Sequence, residues 1–189
     1  MWLDRVKKAY GDNLDVNWKN FSLQQVNSKE GPEWKVWEQV DLHEARSLLS
    51  SVAAEAARRQ GSEAFDRFFL ALLTARHGER ERIPLNEDES LINIAKAVGL
   101  DVDRFKEDLK DPELVELVGR DHTEATEKHG AFGTPTFVFE NGQAAYLKTF
   151  IPPEEESLEA FEEFAGLMSK RSYIGEVKRP QPPWPKGAV

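Results

Sequence analysis

Apolar positions change period several times along the chain, and each change predicts an element. Trp2, Leu3, Val6 and Tyr10 recur at helical spacing, and Gly11 follows as a stop. Leu14, Val16 and Trp18 then alternate with polar residues in "LDVNWKNFSL", the period of a strand. From Glu30 to Gly61 the pattern is mostly helical, with Pro32 suited to a first helical position and Gly61 to a stop. A second helix, "SEAFDRFFLALLTARHGE", opens at Ser62 beside an acid. It is the most apolar helix of the chain and is expected to be central. Residues 86–130 read as three helices in series. Gly99 ends the first and Asp101 caps the second. Asp111-Pro112-Glu113 opens the third with a cap, a proline at the first helical position and an acid in the first turn, and Gly130 closes it.

The period then shortens again. "PTFVFE" and "QAAYL" are two apolar runs joined by Asn141-Gly142, which predicts a β-hairpin with a type I′ turn and positive φ at both turn residues. A last helix, "SLEAFEEFAGLMSKRS", carries Leu158, Phe161, Phe164, Ala165 and Met168 on one face. The tail "EVKRPQPPWPKGAV" is proline-rich and is expected to be extended or mobile. The order is helix, strand, a long helical block, hairpin, helix. That order fits an α/β core interrupted by a helical insertion.

Composition narrows the function classes. The 189 residues suit one domain, or one domain with an insertion. Apolar residues make up 40%, enough for a real core, and charged residues 31%. The net charge of −9 argues against non-specific nucleic-acid binding and against adsorption to anionic membranes. No apolar run approaches a membrane span, and "MWLDRVKKAYG" contains no signal-peptide h-region. With no cysteine, the chain has no disulfide, no thiolate nucleophile and no Cys-ligated metal.

The stretch that invites a chemical reading is "HGAFGTPTFVFENGQ". Gly133-Thr134-Pro135 stands at the mouth of a strand, where proline donates nothing to a ladder. One reading is a plain loop entering the strand. The other is a cis Thr134–Pro135 bond, which turns the chain and leaves neighbouring N–H and C=O groups free to pair with an extended ligand. Other candidates are weaker. His122 and His129 are seven apart on one helical face, but no third ligand stands at a sensible spacing, and exposed polar residues near a helix C-terminus are the expectation. His43 and His77 sit singly in polar context. Trp18, Trp34 and Trp37 suit core packing better than an aromatic pocket. "PPEEESLE" reads as a helix N-terminus with complementary acids. There is no P-loop, GxGxxG or Ser-His-Asp arrangement.

"GAFGTPTFVFENGQ" resembles the cis-proline loop and hairpin of the thioredoxin superfamily, and the long helical block before it resembles the insertion of the DsbA-like branch. "WLDRVKKAYGDNLDVNWKNFSLQQVN" is similar to cytoplasmic DsbA-like proteins, and "SYIGEVKRP" to the mycothiol-dependent reductase-like subgroup. The resemblance implies a thioredoxin-like α/β core over residues 1–30 and 131–173, a helical insertion over 31–130 and a proline-rich tail over 174–189. It implies thiol–disulfide oxidoreduction, or a reaction dependent on a low-molecular-weight thiol. The partner is then a small thiol or a peptide or protein disulfide, and the place is the cytoplasm. Of the family's functional residues only the substrate-side loop has counterparts here: Gly133, Thr134 and Pro135.

The family's first strand and its Cys-Pro-x-x-type motif, which opens the first helix, have no counterpart. No cofactor, no metal and no catalytic residue is therefore assigned. Three readings stay open. The chain is an N-terminally incomplete oxidoreductase, a non-catalytic binding module that keeps the cis-proline groove, or a relative of kappa-class transferases whose serine lies in the same gap. A sheet without its first strand also exposes two inner edges, so self-association or marginal stability is expected.

Overall fold

The computed structural model describes residues 2–31, 33–39, 41, 43, 45, 47–78 and 83–178. The elements in order are α1 (Trp2–Tyr10), a 3-10 turn (Gly11–Asn13), α2 (Leu23–Val26), a second 3-10 turn (Val36–Glu38), α3 (Leu48–Arg58), α4 (Ser62–His77), α5 (Asp88–Ala97), α6 (Val102–Asp108), α7 (Pro112–His129), β1 (Thr136–Val138), β2 (Ala144–Tyr146) and α8 (Ser157–Lys170). The chain divides into two units, Met1–Trp18 with Ala125–Val189, and Lys19–Glu124. The limits read from the sequence lie at 30/31 and 130/131.

In the helical unit, Lys19–Glu124, α3 is the most enclosed element. Every residue from Val52 to Ala57 except Glu55 is apolar, and all six are buried, as in a helix covered on all sides. Its alanines are small enough to let neighbouring helices approach closely. This corrects the expectation that α4 is central. α4 buries one stripe, Ala64, Phe65, Phe68, Leu72 and Ala75, and leaves its other face more open. Phe68 meets Phe105 of α6 with ring centroids 5.3 Å apart, and both are fully buried. Burying a side chain of that size stabilises by about 1.5–3 kcal/mol. The expected helix starts hold at α6 and α7. Asp101 accepts from the N–H groups of Asp103 and Arg104, and Asp111 accepts from that of Glu113. Ser62 is not a cap; that position falls to Gly61, and no side chain bonds the end of α4.

The expected helix over 30–61 is half right. Among the described residues of this stretch only Leu48–Arg58 is α-helical, and Val36–Glu38 is a 3-10 turn. The cause is local. The Gln25 side chain donates to the Trp34 carbonyl (2.8 Å) and accepts from the Val36 N–H (2.8 Å), on either side of Lys35, whose backbone is extended where the turn begins. The N-terminal signal at Pro32 lies outside the described residues.

In the other unit a two-stranded antiparallel sheet rests on α8. The register pairs Thr136 with Tyr146, Phe137 with Ala145 and Val138 with Ala144. Phe137 and Phe139 lie on one face and both meet Phe164 of α8, at 5.0 and 6.2 Å between centroids. α1 fixes the same helix further along. Trp2 and Tyr10 set their rings edge-on to Phe161, and Trp2 Nε1 donates to the Ser157 carbonyl (2.8 Å). The expected apolar face of α8 holds for Phe161, Phe164, Ala165 and Met168, but Leu158 is exposed.

Two expectations about strands fail. Residues 14–20 have the alternating burial of a strand, yet they form no ladder, because no strand pairs with them among the described residues. The hairpin turn is not type I′, since only Gly142 has positive φ (81°) and Asn141 does not. Phe139 O accepts from Gly142 N (2.8 Å) and Phe139 N donates to Gln143 O (2.9 Å). This is a three-residue loop closed by a glycine bulge. Asn141 is held out of the left-handed region by its own bonds: Nδ2 donates to the Ser169 carbonyl (2.6 Å) and Oδ1 accepts from Gln143 N (3.1 Å). Of the expected tail, Ile174–Lys178 has no regular structure, and 179–189 lie outside the described residues.

Candidate functional site

The loop between α7 and β1 is built in three steps. Gly130, at φ 64°, reverses the chain at the end of α7, with its N–H on the Thr126 carbonyl (3.1 Å) and the Ala131 N–H on the Ala125 carbonyl (2.9 Å). Residues then alternate inward and outward: Ala131 and Gly133 are buried, while Phe132 and Thr134 are exposed. The strand begins once Pro135 O accepts from Leu147 N (3.1 Å). The Thr134–Pro135 peptide bond is cis.

Gly133 is there for space. A Cβ on it would stand 3.1 Å from Cε2 of Tyr146, closer than ordinary van der Waals contact. The Tyr146 ring packs in turn on Phe132, centroids 4.9 Å apart, and Phe132 is 65% exposed. The Gly133 carbonyl is taken by the Thr136 hydroxyl, which donates to it at 2.7 Å. Thr134 differs from its neighbours. It is exposed, and neither its N–H nor its C=O has a hydrogen-bond partner among the described residues. Beyond it, Pro135, Phe137 and Phe139 face β2, so the N–H and C=O groups of Thr136 and Val138 point to the outer edge of β1. Gly133, Thr134 and Pro135 thus form one turn, buried at Gly133 and exposed at Thr134 and Pro135, leading into an open strand edge. The loop offers a hydroxyl and main-chain groups, and it contains no acid, base or thiol. Its chemistry is limited to hydrogen bonding.

The histidines separate. His122 is buried, against the expectation of an exposed residue. Its ring lies 4.8 Å from Phe21 and 5.2 Å from Trp37, and its Nδ1 accepts from the Ser22 N–H (3.1 Å). Burial, reinforced by the Lys35 charge, holds this imidazole below its usual pKa. His129 is half-buried at the helix end. His43 does not sit singly: it lies 3.0 Å from Asp41 and 3.2 Å from Asp88, and hydrogen bonds to these two carboxylates raise its pKa. Among the described residues no group of three or more His, Asp or Glu is placed to hold a metal. Trp18, Trp34 and Trp37 are all half-buried.

One polar cluster escapes the sequence. Asp121, buried in α7, accepts from Lys19 Nζ (2.8 Å), Asn20 N (3.0 Å) and Asn20 Nδ2 (3.0 Å). Glu55, buried in α3, accepts from Asn20 Nδ2 (2.9 Å) and Arg58 Nε (2.9 Å). The Arg58 guanidinium lies 3.6 Å over the Phe65 ring. The cluster is satisfied internally, and its place is structural. The one sequence signal for this region is Gly119 in mid-helix. A Cβ there would stand 2.7 Å from the Trp37 ring.

Comparison with known proteins bears on the whole chain. The family model described as DSBA-like thioredoxin domain matches residues 2–164. A Na(+)/H(+) antiporter NhaA from Herminiimonas arsenicoxydans is 37% identical over 98 residues, which are 52% of this chain and 14% of that protein. The chain thus spans a small part of that relative's length. Among the described residues no helix is long and apolar enough to cross a membrane.

Proposed function

The chain belongs to the DSBA-like thioredoxin domain family, and on that footing we propose that it is a substrate-holding module. In this reading the Gly133–Pro135 turn binds the backbone of a peptide disulfide or small thiol, and the chain by itself carries out no thiol–disulfide exchange. The family is of the thiol–disulfide oxidoreductase type. Exchange needs a thiolate to attack a disulfide sulfur, and this chain has no cysteine. What remains of the family's work is binding.

The observation that carries the reading is the exposed Thr134 main chain, unbonded within the described residues, at the head of an open strand edge. An exposed N–H and C=O with no partner in the protein, beside an open strand edge, suit an extended ligand strand. Recognition through main chain predicts an asymmetry between two neighbouring substitutions. Thr134→Ala removes a hydroxyl and a methyl group but leaves the main chain in place, and it is expected to leave peptide affinity within about twofold. Gly133→Val drives a branched side chain into the Tyr146 ring and is expected to weaken it more than tenfold, which is about 1.4 kcal/mol. Calorimetry with an oxidised, cysteine-containing peptide measures both. Equal losses in the two variants, or no binding by the unmodified chain, would overturn the proposal.

A further inference from the structure

Lys19–Glu38 is a run of short segments fastened to the helical unit at a few points. Ser22 caps α2 by accepting from Gln25 N (3.2 Å), and Gln25 holds Trp34 and Val36. Trp37 presses on Gly119 of α7, and Phe21 and Trp37 flank the His122 ring. One bond from this run to His122 is the Ser22 N–H to Nδ1 contact (3.1 Å). A nitrogen that accepts an N–H carries a bare lone pair, so this bond exists only with Nδ1 unprotonated. Adding a proton there sets two hydrogens against each other and places a charge at a site only 5% exposed.

We propose that His122 is an acid-operated latch: protonation of its imidazole expels the Ser22 amide and releases Phe21–Glu38 from α7, uncovering Phe21, Val36 and Trp37 while Lys19 and Asn20 stay on Asp121 and α3 and α4 stay folded.

The charges around the ring favour this behaviour. Lys35, on the 34–38 stretch, opposes a second positive charge. On α7 itself, Asp121 is held by Lys19 and Asn20, and Glu124 lies 4.0 Å from Lys19 Nζ. On α3, Glu55 is held by Asn20 and Arg58. These carboxylates are already matched by donors, while Lys35 and burial disfavour the imidazolium. With the latch open, the imidazole meets water and takes a proton near its ordinary value of 6.5; with it closed, it takes one only at lower pH. The closed form is therefore at full stability above about pH 6.5 and loses it as pH falls below that value. The latch is independent of the disulfide-binding proposal.

Hydrogen exchange read by mass spectrometry on the full chain tests it, with rates corrected for the intrinsic pH dependence. Peptides within Phe21–Glu38 are expected to lose protection by up to about eightfold between pH 7.0 and 5.5, while peptides within Leu48–His77 keep theirs. His122→Gln supplies a carboxamide oxygen that accepts from Ser22 without titrating, and it is expected to abolish the acid step. Because that variant can fail to fold, proton NMR of the unmodified chain gives a second reading. His122 is expected to titrate below 6.5, with the Trp37 indole signal following the same midpoint. An acid step that persists in a folded His122→Gln, equal loss in both segments, no loss, or a Trp37 signal indifferent to the His122 titration would each overturn the proposal.

Discussion

Gly119 costs its helix about 1 kcal/mol relative to alanine by propensity alone, so its presence in α7 calls for a steric reason. The Trp37 ring supplies it, at 2.7 Å from where a Cβ would stand. Gly119→Ala is therefore expected to destabilise the protein, against the propensity scale. Overpacking a tight contact costs about 1–3 kcal/mol, which outweighs the gain. Urea unfolding followed by tryptophan emission measures the sign, and a stabilised variant would show that Trp37 moves aside freely. Asp101→Ala is expected to lose about 1 kcal/mol through two vacated N–H groups at the start of α6, measured the same way. The two residues differ in legibility. Asp101 was readable because a cap acts on residues two and three positions away. The reason for Gly119 was not, because Trp37 is 82 positions distant in the chain. His122 was misread for the same cause: its burial comes from Phe21 and Trp37, not from its neighbours on α7.

At the scale of elements, long helices were legible and short segments were not. α4 to α8 announce themselves by period and terminal residues. The stretch at 14–20 has strand period and strand burial but no partner, and a ladder is a property of two segments. The hairpin was legible from Asn141-Gly142, its turn type was not, because the deciding bond runs from Asn141 to the Ser169 carbonyl on α8. Only Gly142 needs the left-handed region (φ 81°), so Gly142→Ala is expected to cost about 1–2 kcal/mol. Asn141→Gly should be milder in backbone terms, its loss confined to the side-chain bonds. Thermal melts of the two variants rank them; a reversed order would contradict the bulged turn. The position of the Gly133–Pro135 loop could be read from a proline preceding an apolar run. The Phe132–Tyr146 pair beside it could not, because it follows from the hairpin register that sets Tyr146 opposite Thr136.

At the scale of the whole molecule, a family made for thiol exchange meets a chain with no thiol. Insulin reduction and dithiol oxidation by the purified chain are expected to match a no-protein blank in metal-free buffer, since no other side chain replaces a thiolate in that reaction. Turnover above the blank would mean that another group performs the exchange. The central claim is that the retained activity is main-chain binding at one turn. It is tested most directly by amide NMR during titration with an oxidised, cysteine-containing peptide. The account predicts saturable shifts centred on the N–H groups of Thr134 and Thr136. Shifts centred elsewhere, or none at the loop at saturating peptide, would contradict it.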